Sequence, residues 1–171
     1  MMTKIFIPAT CFLIMLLFAS MGVPSEPVHY TDYRPILLSR ESLERSITLL
    51  AAREIKSPAK IYYKDKYIFI SENYKGVHII DNQDPTNPKN ISFISVPGCV
   101  DMAIKGNALY VDNATDLAVV DLENIKTSGI KVTKRIKDAF PEIVPPDGYQ
   151  IPEKYSLSNR PANTVVVEWV K

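Results

Sequence analysis

Two histidines, two cysteines and nineteen acids are among the side chains of this 171-residue sequence suited to proton transfer, nucleophilic attack or metal binding. His29 sits in a proline-punctuated stretch, and His78 alternates with apolar residues in Val77-His78-Ile79-Ile80. A general base needs the group it deprotonates within hydrogen-bond reach. A lone strand histidine reads instead as a packed or solvated side chain. No Gly-x-Ser-x-Gly elbow, glycine-rich phosphate loop or paired Cys/His zinc spacing occurs. Oxygen donors are densest at Asp81, Asn82, Asp84 and Asn87, the ligand type a hard cation such as calcium takes. Beside Pro85 and Pro88 the same residues form turns by bonding their own backbone, and their spacing is not that of a calcium loop. Asp81, Asp84 and Asn87 are therefore candidate metal ligands second to a turn reading, with a thinner echo at Asp112, Asn113 and Asp116. No catalytic residue and no cofactor is expected.

The cysteines lead to the N-terminus. Lys4 precedes the uncharged run Ile5–Ala19, which contains Cys11; Ser20 and Gly22 follow as small residues, then Pro24 and the first acid, Glu26. A basic start, an apolar run, small residues and a polar sequel predict a secretory signal peptide over residues 1–22. An uncleaved anchor is the competing reading, disfavoured by Pro8, Thr10 and the small-residue exit. Met21, not cysteine, follows Ser20, so a lipoprotein linkage has no thiol there. Cleavage removes Cys11 and leaves Cys99 without an internal partner, as a small buried residue. The expected location is exported: periplasmic, cell-surface or secreted. Lysine plus arginine total 20 against 19 acids, so the net charge of +1 gives no electrostatic reason to expect nucleic acid or an anionic membrane as partner. Membrane association is expected only if the N-terminal segment is retained.

The elements that must position these residues are mostly strands. Thirteen prolines against six glycines argue for stiff, non-helical connections. Residues 23–58 read as a linker plus a short helix: Val23–Leu37 is irregular, then Ser39 caps a helix over Arg40–Ala51 with Leu43, Ile47 and Leu50 on one face. From Lys60 short β-branched and aromatic runs alternate with polar breaks: Ile61-Tyr62-Tyr63, Tyr67–Ile70, Val77–Asp81 and Ile91–Val96. The order recurs as Met102–Ile104, Ala108–Val111, Leu117–Asp121 and a last strand through Ile130, Val132 and Ile136. Lys105 follows Lys64 by 41 residues and Asp121 follows Asp81 by 40. Four short strands per period of this length predict propeller-blade-like units, about 60–100 and 101–140. The expected fold is all-β, with two tandem four-stranded repeats, an N-terminal signal helix and one short soluble helix. Residues 141–171 read as a proline-rich extended tail ending in a strand, Thr164–Val170.

Leu117-Ala118-Val119-Val120-Asp121 and Val77-His78-Ile79-Ile80-Asp81 resemble the core of the LVIVD repeat, with Val77, Ile79, Asp81, Leu117, Val119 and Asp121 as the signature positions. The Asp-x-x-Asp-Pro-x-Asn-Pro loop from Asp81 to Pro88 is similar to the loop that follows that core, and Gly98, Asp101, Met102 and Lys105-Gly106-Asn107 also look like the family. The resemblance spans about Lys60–Phe140. It implies a propeller-like fold in bacterial envelope or secreted proteins of largely unassigned activity, most of them longer and many with a lipoprotein signal.

Apolar faces on both sides of each sheet mean that neither unit shields itself alone. The first functional expectation is accordingly a non-enzymatic interaction or scaffold module of the cell envelope. Its partner would be an unknown protein or glycan, with self-association open. The alternative is a hydrolase or lyase acting on envelope polysaccharide through acids at blade ends, Asp81 or Asp112. Asn90-Ile91-Ser92 and Asn113-Ala114-Thr115 match the glycosylation triplet. Tyr30, Tyr33, Tyr74, Tyr149 and Tyr155 either form an aromatic surface or fold over the core.

Overall fold

Strands carry nearly all the regular structure in a computed structural model that describes residues 27–123, 125 and 129–171. The predicted signal peptide lies outside the described residues. In chain order the elements are β1 (Arg34–Ser39), α1 (Arg40–Glu44), β2 (Thr48–Ala51), β3 (Pro58–Lys64), β4 (Tyr67–Glu72), β5 (Gly76–Asp81), β6 (Lys89–Ser95), β7 (Met102–Lys105), β8 (Ala108–Asn113), β9 (Asp116–Asp121), β10 (Lys131–Ile136), a 3-10 turn at Glu153–Tyr155 and β11 (Thr164–Val170). The fold is all-β. Among the described residues no helix is long and apolar enough to cross a membrane.

Three antiparallel sheets form, in the strand orders β2-β6-β5-β4-β3, β10-β9-β8-β7 and β1-β11. In the first and second sheets four consecutive strands make a meander, and Val77–Asp81 and Leu117–Asp121 both occupy its third strand. The period of 40–41 residues reaches the backbone. Asp65 and Gly106 take positive φ (55° and 57°) in the β3–β4 and β7–β8 turns, as do Tyr74 and Ala114 (63° and 58°) in the next turns. Lys66 O accepts from Asn82 N at 2.8 Å, and Asn107 O from Leu122 N at 2.9 Å. Gly98, at φ 77°, needs its missing side chain: a Cβ there would lie 2.7 Å from the Ala114 backbone.

One apolar core holds the first two sheets face to face. Phe69, Val77 and Ile79 of the first pack with Ile104, Leu109, Val111, Ala118 and Val120 of the second. Full burial of each aliphatic chain contributes about 1.5–3 kcal/mol, so the stacking supplies a large share of the burial of both sheets. The faces in contact are not equivalent under the repeat. Phe69 pairs with Ile79 as Tyr110 pairs with Val119, and Ile70 pairs with His78 as Val111 pairs with Ala118. The first sheet thus uses its Phe69–Ile79 face and the second its Val111–Ala118 face, a head-to-tail stacking.

Two expectations are corrected. The helix predicted over Arg40–Ala51 is one turn, Arg40–Glu44, capped as expected by Ser39, whose Oγ accepts from Ser42 N at 3.1 Å. So short a helix gains few internal bonds. Thr48–Ala51 instead pairs with the open edge of β6, Thr48 opposite Ser95 through Ala51 opposite Ser92. The Leu43–Ile47–Leu50 stripe is broken accordingly: Leu43 and Ile47 are buried in different clusters, while Leu50 is exposed. The second correction is β1, within the stretch expected to be irregular. It pairs antiparallel with β11 from Arg34 opposite Val170 to Ser39 opposite Thr164, so strands far apart in sequence make a sheet of their own.

Candidate functional site

The outward face of the second sheet forms the floor of an apolar cleft of about 780 Å³. Ala103 (β7), Tyr110 (β8) and Leu117 (β9) line the floor, the tail from Phe140 to Pro146 makes a wall, and Tyr74 and Val100 also border it. Strand alternation puts these side chains there: Ala103 pairs with Tyr110, whose other neighbour is Val119, and Asp112 pairs with Leu117. Trp169 Nε1 donates to Ile143 O at 2.8 Å and fastens the tail wall to β11.

Three acids line the cleft. Asp112 accepts from the backbone N–H of Val100 at 3.0 Å and of Asp101 at 2.8 Å. Burial nevertheless pushes its carboxyl above the usual aspartate range. Asp101 takes Lys60 Nζ at 2.7 Å, and its carboxyl is held low chiefly by that bond. Arg160 grips Glu142 with both terminal nitrogens, at 2.9 and 2.6 Å. The neighbouring Cys99 thiol is pushed well up, first by burial and then by the charge of Asp112, which keeps it from acting as a thiolate. Each acid of the cleft is bound within the protein; the surface suits apolar contact more than proton transfer.

Two further charge networks are buried and do not line the cleft. The Asp116 carboxylate is fully buried and receives Arg40 at 2.5 Å, Arg135 at 3.0 Å and the Asp138 N–H at 3.1 Å. Burial raises the cost of its charge, but these donors outweigh it and hold the carboxyl below the usual range. Arg40 also bonds Asp138, and Arg135 reaches Asn113 Oδ1 at 2.8 Å and the Glu44 carbonyl at 3.4 Å, so the cluster ties α1 to the second sheet. In the first sheet, Glu72 accepts from Arg53 at 2.6 Å and from His78 Nε2 at 2.8 Å. A carboxylate only accepts, so Nε2 carries the hydrogen. Here too the donors overcome burial and lower the Glu72 carboxyl. Arg53 lies 3.9 Å over the Phe93 ring, which contacts the His78 ring at 4.7 Å.

The residues singled out from sequence are not gathered into one place. His78 is fully buried, a packed strand side chain, and His29 stacks near Tyr149 at 5.7 Å. Asp81 Oδ1 accepts from Gln83 N at 3.0 Å, and Asp84 Oδ1 from Thr86 N at 3.0 Å, while Asn87 N bonds the Asp84 carbonyl at 3.0 Å. These are turn bonds. Among the described residues no group of three or more His, Cys, Asp or Glu side chains is placed to hold a metal. Of the signature positions, Val77 and Ile79 are in the shared core, Leu117 is in the cleft floor, and Val119 shares its face. Asp121 Oδ1 accepts from Glu123 N at 2.9 Å, as Asp81 does from Gln83. Asn113 is buried, its amide donating to Pro97 O at 2.7 Å, and the Asn90 amide donates to Arg53 O at 2.7 Å. Of the tyrosines, Tyr74 reaches the cleft, Tyr155 packs edge-on to Trp169, and Tyr30 and Tyr149 are exposed. Sequence reasoning missed Phe140 and Pro141–Pro146 as a wall; their signal was an apolar, proline-rich run directly after the second repeat. It also missed Glu72, and it read Asp116 as a turn residue where the structure makes it the centre of a buried ion network.

No protein-family model matches the chain, and neither a curated protein nor a solved structure matches it.

Proposed function

We propose that this chain is an exported, non-enzymatic β-repeat protein that serves as an interaction or scaffold module at the cell envelope. The observation that carries this reading is the cleft: an apolar floor and wall whose three acids are already bound by backbone, Lys60 and Arg160. Large apolar concavities on otherwise polar surfaces are where partners bind. The 40–41-residue repeat, its recurrence in turn geometry and the head-to-tail stacking support propeller-blade-like units of the LVIVD type. The apolar Ile5–Ala19 run behind Lys4 supports export.

The competing reading, a polysaccharide hydrolase or lyase, rests on Asp112, the one cleft acid pushed upward as a general acid would be. Cleavage chemistry needs a second carboxylate across the bond, and the remaining acids of the cleft are paired with basic side chains.

A photo-reactive residue at Leu117, in the native host, tests the proposal against a second placed at Leu157, which is exposed on the tail. A cross-link made from Leu117 and not from Leu157 is expected; equal labelling from both overturns the reading. Release of reducing ends from envelope polysaccharide by the purified chain, lost in Asp112→Asn, would overturn it in favour of the enzyme. The intact mass of the exported chain is expected to lack the first 22 or so residues.

A further inference from the structure

We infer that the exposed face of the first sheet of one copy docks into the cleft on the second sheet of another, so that copies join head to tail. The inference rests on reading the cleft as a binding surface and names its occupant: a second copy of this chain.

The argument is the repeat itself. Inside the chain, the face bearing Phe69, Val77 and Ile79 packs on the face bearing Ile104, Leu109 and Val111. Shifting by one repeat turns Phe69, Val77 and Ile79 into Tyr110, Leu117 and Val119, of which Tyr110 and Leu117 are half-buried and line the cleft while Val119 is 9% exposed. The same shift turns Met102, Ile104, Leu109 and Val111 back into Ile61, Tyr63, Ile68 and Ile70 on the outer face of the first sheet. The second sheet therefore offers the surface type that the first uses to hold its neighbour, and the first offers the type that the second inserts. Both halves of one interface are present, unjoined, on opposite sides of the stack.

Exposure marks the unmet half. Ile61 and Tyr63 are 65% and 64% exposed, whereas their counterparts Met102 and Ile104 are 2% and 7%. Arg53 covers the His78–Phe93 side of the outer face but leaves the β3–β4 side open. Charge agrees. Lys60 of the first sheet bridges to Asp101 of the second at 2.7 Å, and these two residues are themselves counterparts 41 positions apart. At a junction between copies the same stacking would set Asp101 of one copy against Lys60 of the next, opposite charges again. The two faces differ, so the contact is heterologous, and each added copy presents the same free pair of faces.

Sedimentation velocity of the purified exported chain over a concentration series provides the test. Ile61→Lys disables one face and Ala103→Arg the other; both positions are exposed, and thermal melts check that each variant folds. The expected result is concentration-dependent growth past dimer for the unaltered chain, loss of every species larger than monomer for either variant alone, and a dimer, nothing larger, when the two variants are mixed. The mixture retains one working face of each kind, which a two-fold symmetric contact would not reproduce. A chain that stays monomeric throughout overturns the inference, as does association that survives either substitution or a mixture that stays monomeric. If the inference fails while Leu117 still cross-links a different molecule, the proposed function stands and only the occupant is wrong. If Leu117 captures nothing, both fall.

Discussion

Asp116 shows how much a single side chain can hold. Its carboxylate binds two arginines and a backbone N–H with no exposure of its own. Removing one partner from such a set costs about 3–5 kcal/mol, because the remaining charges stay buried and unpaired. Asp116→Ala is expected to lower the unfolding free energy by an amount in that range, read from urea titration as a fall in the midpoint, with Arg135 left facing Arg40. The pH dependence follows from the same group. Asp116 and Glu72 titrate below their ordinary values, so their contribution is complete above the unfolded carboxylate pKa of about 4 and is lost as pH falls through the lower folded values. Asp112 runs the other way. Its raised value makes its contribution greatest below the unfolded pKa and lost as pH climbs through the folded one. Stability measured by urea titration should drop on the acid side, and Asp112→Asn should flatten the slope just above the unfolded carboxylate pKa of about 4. These roles were not legible in the sequence. Asp116 stands directly before Leu117–Asp121, where it reads as a turn acid, and nothing local announces that Arg40 arrives from α1.

Elements divide by the distance of their partners. β4, β5, β8 and β9 were legible because each pairs with its neighbour and carries apolar residues on both faces. β1 and β2 were not. A run such as Thr48–Ala51 continues the apolar spacing of a helix, and only the free edge of β6 makes it a strand. Pairing decided by a remote edge leaves no periodic trace in the segment itself. Leu43, the buried residue of α1, packs with Ala114, Val165 and Val167, so α1 and the β1–β11 sheet stand or fall together. Leu43→Ala is expected to cost about 2–5 kcal/mol. Hydrogen exchange should show the loss of protection at Arg34–Ser39 and Thr164–Val170 before it appears in β5.

At the scale of the molecule, one core serves two sheets. Ile79 of the first sheet and Val120 of the second belong to the same cluster, both fully buried. Ile79→Ala should cost about 2–5 kcal/mol and weaken exchange protection in β8 and β9 as much as in β4 and β5, with a single urea transition. Protection lost from the first sheet alone would show that the sheets fold independently. The head-to-tail stacking was foreshadowed by the 40-residue period; which face meets which was not, since both faces of each sheet are apolar in sequence and only packing selects between them. The cleft was less legible still. Its floor lies in the second repeat, but its wall is the tail, whose prolines indicate extension without saying where it lies.

The sequence holds one tryptophan, and its position gives the molecule a built-in optical gauge. Trp169 sits 4% exposed in β11, opposite Pro35 of β1 and edge-on to Tyr155. Its emission colour follows the wetting of that one ring, so it reports the closing of the first described strand upon the last. Far-ultraviolet dichroism, averaged over every strand, reports the two large sheets. Following both signals along one denaturation curve separates the undoing of the clasp from the melting of the body it fastens.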